Sequence, residues 1–161
     1  MNGVIKNNTD YLIRNMTADD LERVHQIEKE VFPDPWTLNM FKEQLGDNGW
    51  GAIVAENKSG IIGYACYYVS HVEGHLTNIA VSPAFRRKSI AKELLKIIID
   101  IILQHGCEFI LLEVRPSNTA AGNFYKSYGF EVLYKRPNYY SSPREDAAVM
   151  VKYFDEKESK D

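Results

Sequence analysis

Three stretches of this 161-residue chain hold side chains able to do chemistry. In the first, Ile79-Ala80-Val81 reads as the end of a strand, Arg86-Arg87-Lys88 as a basic turn, and Ser89-Ile90-Ala91-Lys92 as the opening of a helix. The first backbone N–H groups of a helix lack partners inside it and lie at the positive end of its dipole, so small residues there let a pyrophosphate reach the backbone. Arg86, Arg87, Lys88 and Lys92 would add positive charge; the same text also suits a helix that opens on a solvated basic turn. The second stretch is Leu112-Glu113-Val114-Arg115-Pro116-Ser117-Asn118, with Tyr125 downstream. A carboxylate at a strand end can accept a proton, but on residue type alone Glu113 is as well explained by pairing with Arg115 or a nearby lysine. Tyr125 reads equally as a half-buried aromatic on a helix, and Asn118 as the N-cap of that helix. The third stretch is Asn138-Tyr139-Tyr140 followed by Arg144-Glu145-Asp146-Ala147.

Other chemistries find no support. His71 and His75 are separated by a Gly74-containing turn between strands, which does not place them on one helix face, and neither HExxH nor an acidic cluster accompanies them, so no metal is expected. No GxSxG or cysteine–histidine signature argues for a covalent enzyme intermediate. Cys66 sits in apolar strand text as a small buried hydrophobe and Cys107 at a turn; without a CxxC pair they fit a reducing compartment rather than a disulfide framework.

The elements that must carry these residues follow from hydrophobic period. A strand over 11–16 leads into Thr17-Ala18-Asp19-Asp20, a capping-box-like start for a helix whose Leu21, Val24, Ile27 and Val31 recur at three- and four-residue spacing and which must stop before Pro33. Trp36 opens a shorter helix with Leu38, Phe41 and Leu45. Two strands over 52–56 and 61–70 enclose the turn Asn57-Lys58-Ser59-Gly60, and a third covers 75–81. A helix over 90–104 is apolar on a wide face, a continuous apolar strand at 109–114 reads as central, and a helix from Asn118 ends at Gly129. Strands over 130–136 and 147–154 complete the order. Residues 1–10 read as a flexible N-terminus, 11–154 as one domain, and 155–161 as a charged, solvated tail.

Three consecutive strands in the middle exclude a regular alternation of strand and helix, so the expected class is α/β with a mixed, mostly antiparallel sheet flanked by about four helices. The length fits one domain, and 45% hydrophobic residues exclude disorder as the main state. With 19 basic against 22 acidic residues and a net charge of -3, the chain has no excess of cations for direct nucleic-acid binding. The N-terminus lacks the apolar run of a signal peptide, and the most apolar stretch, 94–103, is interrupted by Lys96 and Asp100 and far too short to span a bilayer. The expectation is a soluble cytoplasmic protein with no membrane partner.

Arg86-Arg87-Lys88-Ser89-Ile90-Ala91 resembles the (Q/R)xxGx(G/A) acetyl-CoA signature of the GNAT N-acetyltransferases, and strand order and motif position agree. The likeness spans about 11–154 and is greatest to the ribosomal-protein-alanine N-acetyltransferases of the RimI type. Asn78-Ile79-Ala80-Val81, the Leu112 to Asn118 stretch with Tyr125 and Gly129-Phe130, and the two pieces of the third stretch carry it. The resemblance implies a GNAT-like acyl-CoA N-acyltransferase fold, acetyl-CoA as co-substrate without a metal, and direct attack by an amine. Glu113 then corresponds to the general base and Tyr125 to the general acid for the leaving thiolate. Ile79, Ala80 and Val81 would serve through their backbone, Arg86 to Lys92 would hold the pyrophosphate, Asn118 would hydrogen-bond CoA, and Tyr139 and Tyr140 would wall the peptide slot.

The implied acceptor is the N-terminal alanine of a small-subunit ribosomal protein, whose basic tail Glu73, Glu145 or Asp146 could attract. A GNAT acting on a small amine or lysine, and a CoA-binding, ribosome-associated module without turnover, are the alternatives; the oligomeric state is not fixed by sequence. Ser89 departs from the signature, which has glycine there. The exchange is benign provided the backbone does not need positive φ.

Overall fold

A computed structural model describes residues 3–155. Of the tail expected at 155–161, all but Asp155 lies outside the described residues. The elements in chain order are β1 (Val4–Asn7), β2 (Leu12–Asn15), α1 (Leu21–Val31), α2 (Leu38–Glu43), β3 (Trp50–Asn57), β4 (Gly60–Ser70), β5 (Glu73–Val81), α3 (Ile90–Gln104), β6 (Phe109–Val114), α4 (Thr119–Ser127), β7 (Glu131–Ser141) and β8 (Arg144–Tyr153). The strands form one sheet in the order β1-β2-β3-β4-β5-β6-β8-β7. The parallel pairing is that of β5 with β6, so the sheet is mixed and mostly antiparallel, as expected. No helix among the described residues is long and apolar enough to cross a membrane.

The chain forms two compact units, one of residues up to Tyr68 with Leu76–Asp100, the other of Val69–His75 with residues from Ile101 on. In the first, Leu21, Val24 and Ile27 of α1 pack with Phe41, Val54, Tyr64, Cys66 and Ala80, and Trp36 closes over this cluster. Pro33 ends α1 as the sequence requires, with Phe32 driven into extended backbone at φ -113 and ψ 137. The Thr17 start opens with a single 3-10 turn over Ala18–Asp20 before α1 begins.

Two buried carboxylates brace this unit. Asp20 takes Arg14 in a two-pronged pair at 2.7 and 2.8 Å and accepts the Thr17 backbone N–H at 2.8 Å, while Arg14 also donates to Glu56 at 2.9 Å. Glu28, 2% exposed, accepts hydrogen bonds from the Tyr64 hydroxyl, the Asn78 amide at 2.8 Å and the Trp36 N–H at 3.0 Å, tying α1 to β4, β5 and the connector before α2.

Val4–Asn7 correct the reading of residues 1–10 as flexible. They form an edge strand paired with β2, closed by a turn in which Asn8 Oδ1 accepts the Asp10 and Tyr11 N–H groups at 2.9 and 2.8 Å. All four side chains are exposed, so the strand is held by its backbone and leaves no hydrophobic period to read.

In the second unit β6 pairs along its length with β8, from Phe109 opposite Tyr153 to Val114 opposite Ala148. The parallel ladder sets Glu73, Gly74 and His75 of β5 against Phe109, Ile110 and Leu111 of β6. Gly74 thus belongs to a strand, where the sequence suggested a turn, and His75 lies in the strand it was expected to open; the turn lies earlier, at His71, whose φ is 46°. Gly74 is required sterically, because a Cβ there would fall 2.2 Å from the Ile102 side chain. α4 is capped by Asn118, whose Oδ1 accepts the Ala121 N–H at 3.2 Å, and Gly129 follows it at φ 89°. β7 and β8 run on as a long hairpin past the strand bounds expected at Arg136 and Ala147, and β7 accommodates Pro137 as an edge strand with an irregular register between Arg136 and Tyr140.

Burial alone would raise the Asp20 carboxyl, but the Arg14 pair and the Thr17 hydrogen bond outweigh it and hold it below the usual carboxylate value. A depressed folded-state value means the stabilisation is complete above the unfolded value and is lost as pH falls through the folded one. Asp20→Asn, leaving the Arg14 guanidinium buried with half its partner, is expected to cost about 3 kcal/mol near neutral pH. Thermal unfolding followed from pH 7 downward checks this: the gap between wild type and variant narrows once the pH drops below about 4.

Candidate active site

In the first unit β5 ends at Val81 and a 3-10 turn over Pro83–Phe85 leads into Arg86, Arg87, Lys88 and Ser89, all exposed, before α3 begins at Ile90. Ile90 is buried and anchors the helix, Ala91 is half-buried, and Lys92 is exposed. Ser89 O accepts the Glu93 N–H at 3.1 Å as the first helical bond. Four cations, Arg86, Arg87, Lys88 and Lys92, thus surround a helix start whose leading N–H groups have no helical acceptor, an arrangement that suits an anionic pyrophosphate. Lys88 and Ile90 also line a cavity of about 510 Å³ together with Tyr11, Asn57, Ile62 and Phe85.

Arg87 and Ser89 both adopt left-handed backbone, at φ 64° and 61°. The condition under which serine would be a harmless replacement for glycine is therefore not met. Ser89 carries a Cβ through a conformation that disfavours it by about 1 kcal/mol. Upstream, Ile79 and Val81 are half-buried and Ala80 is buried against the core.

The second unit gathers the titratable candidates. Glu113 lies on β6 with a side chain 10% exposed. Its Oε2 is 2.7 Å from His75 Nε2 and its Oε1 is 3.3 Å from the Arg136 guanidinium. The expected pairing with Arg115 or a lysine does not occur. Arg115 instead reaches the Ser142 and Pro143 carbonyls at 3.3 and 2.8 Å, and Glu145 at 3.5 Å.

His75 and Arg136 are the residues that sequence reasoning missed. No local motif marks them: the ladder places His75 opposite Leu111, and Glu113 is the next residue of β6 on that same face.

Tyr125 is buried on α4, its ring edge-on to Phe130 with centroids 5.8 Å apart and tilted against Phe124. Burial, and secondarily the Tyr140 phenol, push its ionisation well above the ordinary tyrosine value, so it keeps its proton throughout the working pH range. Tyr139 and Tyr140 meet edge to face at 4.9 Å, each under a guanidinium: Arg136 stands 4.8 Å from the Tyr139 ring and Arg115 4.1 Å from that of Tyr140.

Two of the acids considered for attracting a basic tail are engaged within the fold. Glu145 accepts both the Ser117 N–H and hydroxyl, at 2.8 and 2.7 Å, and Asp146 accepts the Asn138 N–H at 2.8 Å. Among the described residues no group of three or more His, Cys, Asp or Glu side chains could hold a metal ion.

Comparison with known proteins places this geometry. Residues 21–130 match the model of the acetyltransferase (GNAT) family. The [ribosomal protein bS18]-alanine N-acetyltransferase of Haemophilus influenzae is 34% identical over 145 residues, covering 88% of this chain and 98% of that protein. Among solved structures, the ribosomal-protein-S18-alanine N-acetyltransferase from Escherichia coli superposes with a TM-score of 0.81 at 31% identity, covering 89% of this chain and 93% of the other. Ard1 from Thermoplasma volcanium shares the fold, with a TM-score of 0.83 at 24% identity over 92% of this chain and all of the other. On family match, identity over most of its length and fold together, the chain belongs to the GNAT acetyltransferase family.

Proposed function

We propose that this protein transfers the acetyl group of acetyl-CoA to the N-terminal α-amine of a protein, with the N-terminal alanine of a small-subunit ribosomal protein as acceptor. The observation that carries the reading is Glu113: a largely buried carboxylate at the end of a central strand, held by His75 and Arg136, and so fixed and available to accept a proton. The Haemophilus and Escherichia relatives, named for alanine acetylation of a ribosomal protein, support the acceptor.

The reaction asks for three proton movements. The α-ammonium must lose a proton before its nitrogen attacks the thioester carbonyl, and Glu113 accepts it directly or through water. The leaving thiolate must gain one as the C–S bond breaks, and Tyr125, kept protonated by its burial, donates, while the nitrogen, cationic once bonded to the carbonyl carbon, gives up its second proton to water, from which the phenol is restored. A backbone N–H near Val81 offers a donor to the thioester oxygen as negative charge builds there, and the Ile79–Val81 backbone pairs with the pantetheine arm. The basic turn and the N-terminus of α3 hold the pyrophosphate. Asn118 spends its side-chain oxygen on capping α4, leaving its amide N–H₂ for CoA. Tyr139 and Tyr140, fixed under Arg136 and Arg115, wall the peptide slot.

An N-terminus suits a carboxylate base. With an α-amino group near 8 about a tenth is neutral at pH 7, whereas lysine requires about 3 kcal/mol more to deprotonate there. Such an acceptor also places the enzyme in the cytoplasm, where its two free cysteines would remain reduced.

Intact-mass analysis of Ala-, Ser- and Met-starting peptides, and of an N-terminally blocked peptide with a free lysine, tests reaction and acceptor together. The expected product is one acetyl group on the Ala peptide and none on the blocked one; acetylation of the lysine peptide, or of no peptide despite acetyl-CoA binding, overturns the reading. Glu113→Gln is expected to lower kcat by about 100-fold, most severely at low pH where few amines are neutral, without weakening acetyl-CoA binding. Tyr125→Phe should slow single-turnover acetyl transfer by at least about tenfold, and an unchanged rate would leave Tyr125 a packing residue. Ser89→Gly relieves the left-handed strain and should raise the melting temperature by about 2 to 4 °C while binding acetyl-CoA at least as tightly, as calorimetry would show.

A further inference from the structure

We infer that His75 is the positioning residue of Glu113, and that turnover requires its imidazole to be neutral and to donate from Nε2. The inference rests on the reading of Glu113 as the base and extends it to a residue that no motif marks.

An ionised carboxylate oxygen can only accept hydrogen bonds. A ring nitrogen 2.7 Å from Glu113 Oε2 must therefore carry the hydrogen, and His75 is either the Nε2–H tautomer or the imidazolium. The ring is well placed to fix the carboxylate. Its backbone is locked in the parallel ladder opposite Leu111, and the preceding Gly74 is wedged against Ile102. Arg136, the other donor, is 49% exposed, makes the longer contact of 3.3 Å and leans on Tyr139, so it adds charge more than direction.

The charge on His75 then matters. When Glu113 takes the proton of the ammonium, an N–H bond breaks and an O–H bond forms on the carboxyl, while His75 neither gains nor loses a proton. Its Nε2–H continues to donate to Oε2, and the proton on Glu113 returns to solvent after the product leaves. With His75 as imidazolium, Glu113 lies between two cations that favour its ionised form and so oppose protonation. With neutral His75 one cation is gone and the hydrogen bond remains.

The other ionisable groups around this pair are of side-chain types that do not ordinarily change charge between pH 5 and 8. Arg136 stays cationic, and Arg115 is committed to Glu145 and the Ser142 and Pro143 carbonyls. The Tyr139 and Tyr140 phenols are pushed up by burial and by the negative charge of Glu113. Glu73 lies two residues back on the same face of β5. Among these side-chain types, histidine is the one that ordinarily titrates between pH 5 and 8.

The experiment measures kcat against pH from 5 to 8 for wild type, His75→Ala, His75→Gln and Glu113→Gln, with acetyl-CoA binding as the check on folding, and the ¹⁵N NMR spectrum of the wild-type ring at pH 8. His75→Ala should lower kcat at pH 8 about tenfold with KM for acetyl-CoA unchanged. His75→Gln, which keeps an N–H donor but cannot titrate, should recover most of that loss. Because wild type alone is slowed by its imidazolium, the ratio of wild-type to Gln-variant kcat should rise at least about threefold from pH 5 to pH 8, whatever the amine itself contributes. The ring should be the Nε2–H tautomer. A flat ratio, or an Nδ1–H ring, overturns the inference. If Glu113→Gln collapses turnover while both His75 variants match wild type at every pH, the base reading stands and this inference falls alone. If Glu113→Gln turns over like wild type, the base reading fails and takes this one with it.

Discussion

A parallel ladder three residues long decides which polar side chains meet in the second unit. Setting Glu73, Gly74 and His75 against Phe109, Ile110 and Leu111 puts the imidazole diagonally across from Glu113, and a slip of one residue would turn it to the opposite face of the sheet. The register is enforced by packing rather than by polar contacts, since Gly74 is the only size of residue that leaves room for Ile102. The antiparallel run of β6 against β8 carries the rest: it sets the height of Glu113, and through the hairpin it brings Arg136 and the tyrosine pair to the same region.

The first unit solves a different problem, that of burying charge beneath a short helix pair. Asp20 is met by a cation, whereas Glu28 is met only by neutral donors, yet each carboxylate gathers hydrogen bonds from more than one element. Such a group is costly to leave half satisfied, so each ties its partners into one arrangement. The environment of Glu28 extends further. Burial first, and then its charge, push the Tyr64 phenol and the Cys66 thiol above their ordinary ionisation ranges, so Cys66 is an inert packing group.

How much of this could be read beforehand depends on the range of the interaction. The α3 helix and the β6 strand were legible to the residue because a wide apolar face and a continuous apolar run belong to local sequence. The α4 cap at Asn118 and the closing Gly129 were legible because capping chemistry is local too. β1 was not, since a strand with four exposed side chains leaves no period. The strand expected to end at Arg136 runs on to Ser141, because an edge strand tolerates the donor that Pro137 lacks. At the candidate site, Glu113, Tyr125 and the basic turn could be marked from the text, whereas His75 and Arg136 stand 38 and 23 positions from Glu113 along the chain, and only the sheet brings them together. The left-handed backbone at Ser89 was likewise hidden, because serine in a helix start usually signals a cap rather than positive φ.

The outer strand β7 shows apolar side chains on both faces, with Val132, Leu133 and Tyr134 each about half exposed. A long free edge of that composition would ordinarily recruit a second chain by extending the sheet. Here Pro137 removes a donor midway along it, the register breaks on either side of Lys135-Arg136, and two cations stand at its centre. The hairpin that carries Arg136, Tyr139 and Tyr140 therefore discourages edge-to-edge pairing by the same irregularities that aim those side chains, and so an exposed apolar edge is kept from becoming a template for fibres.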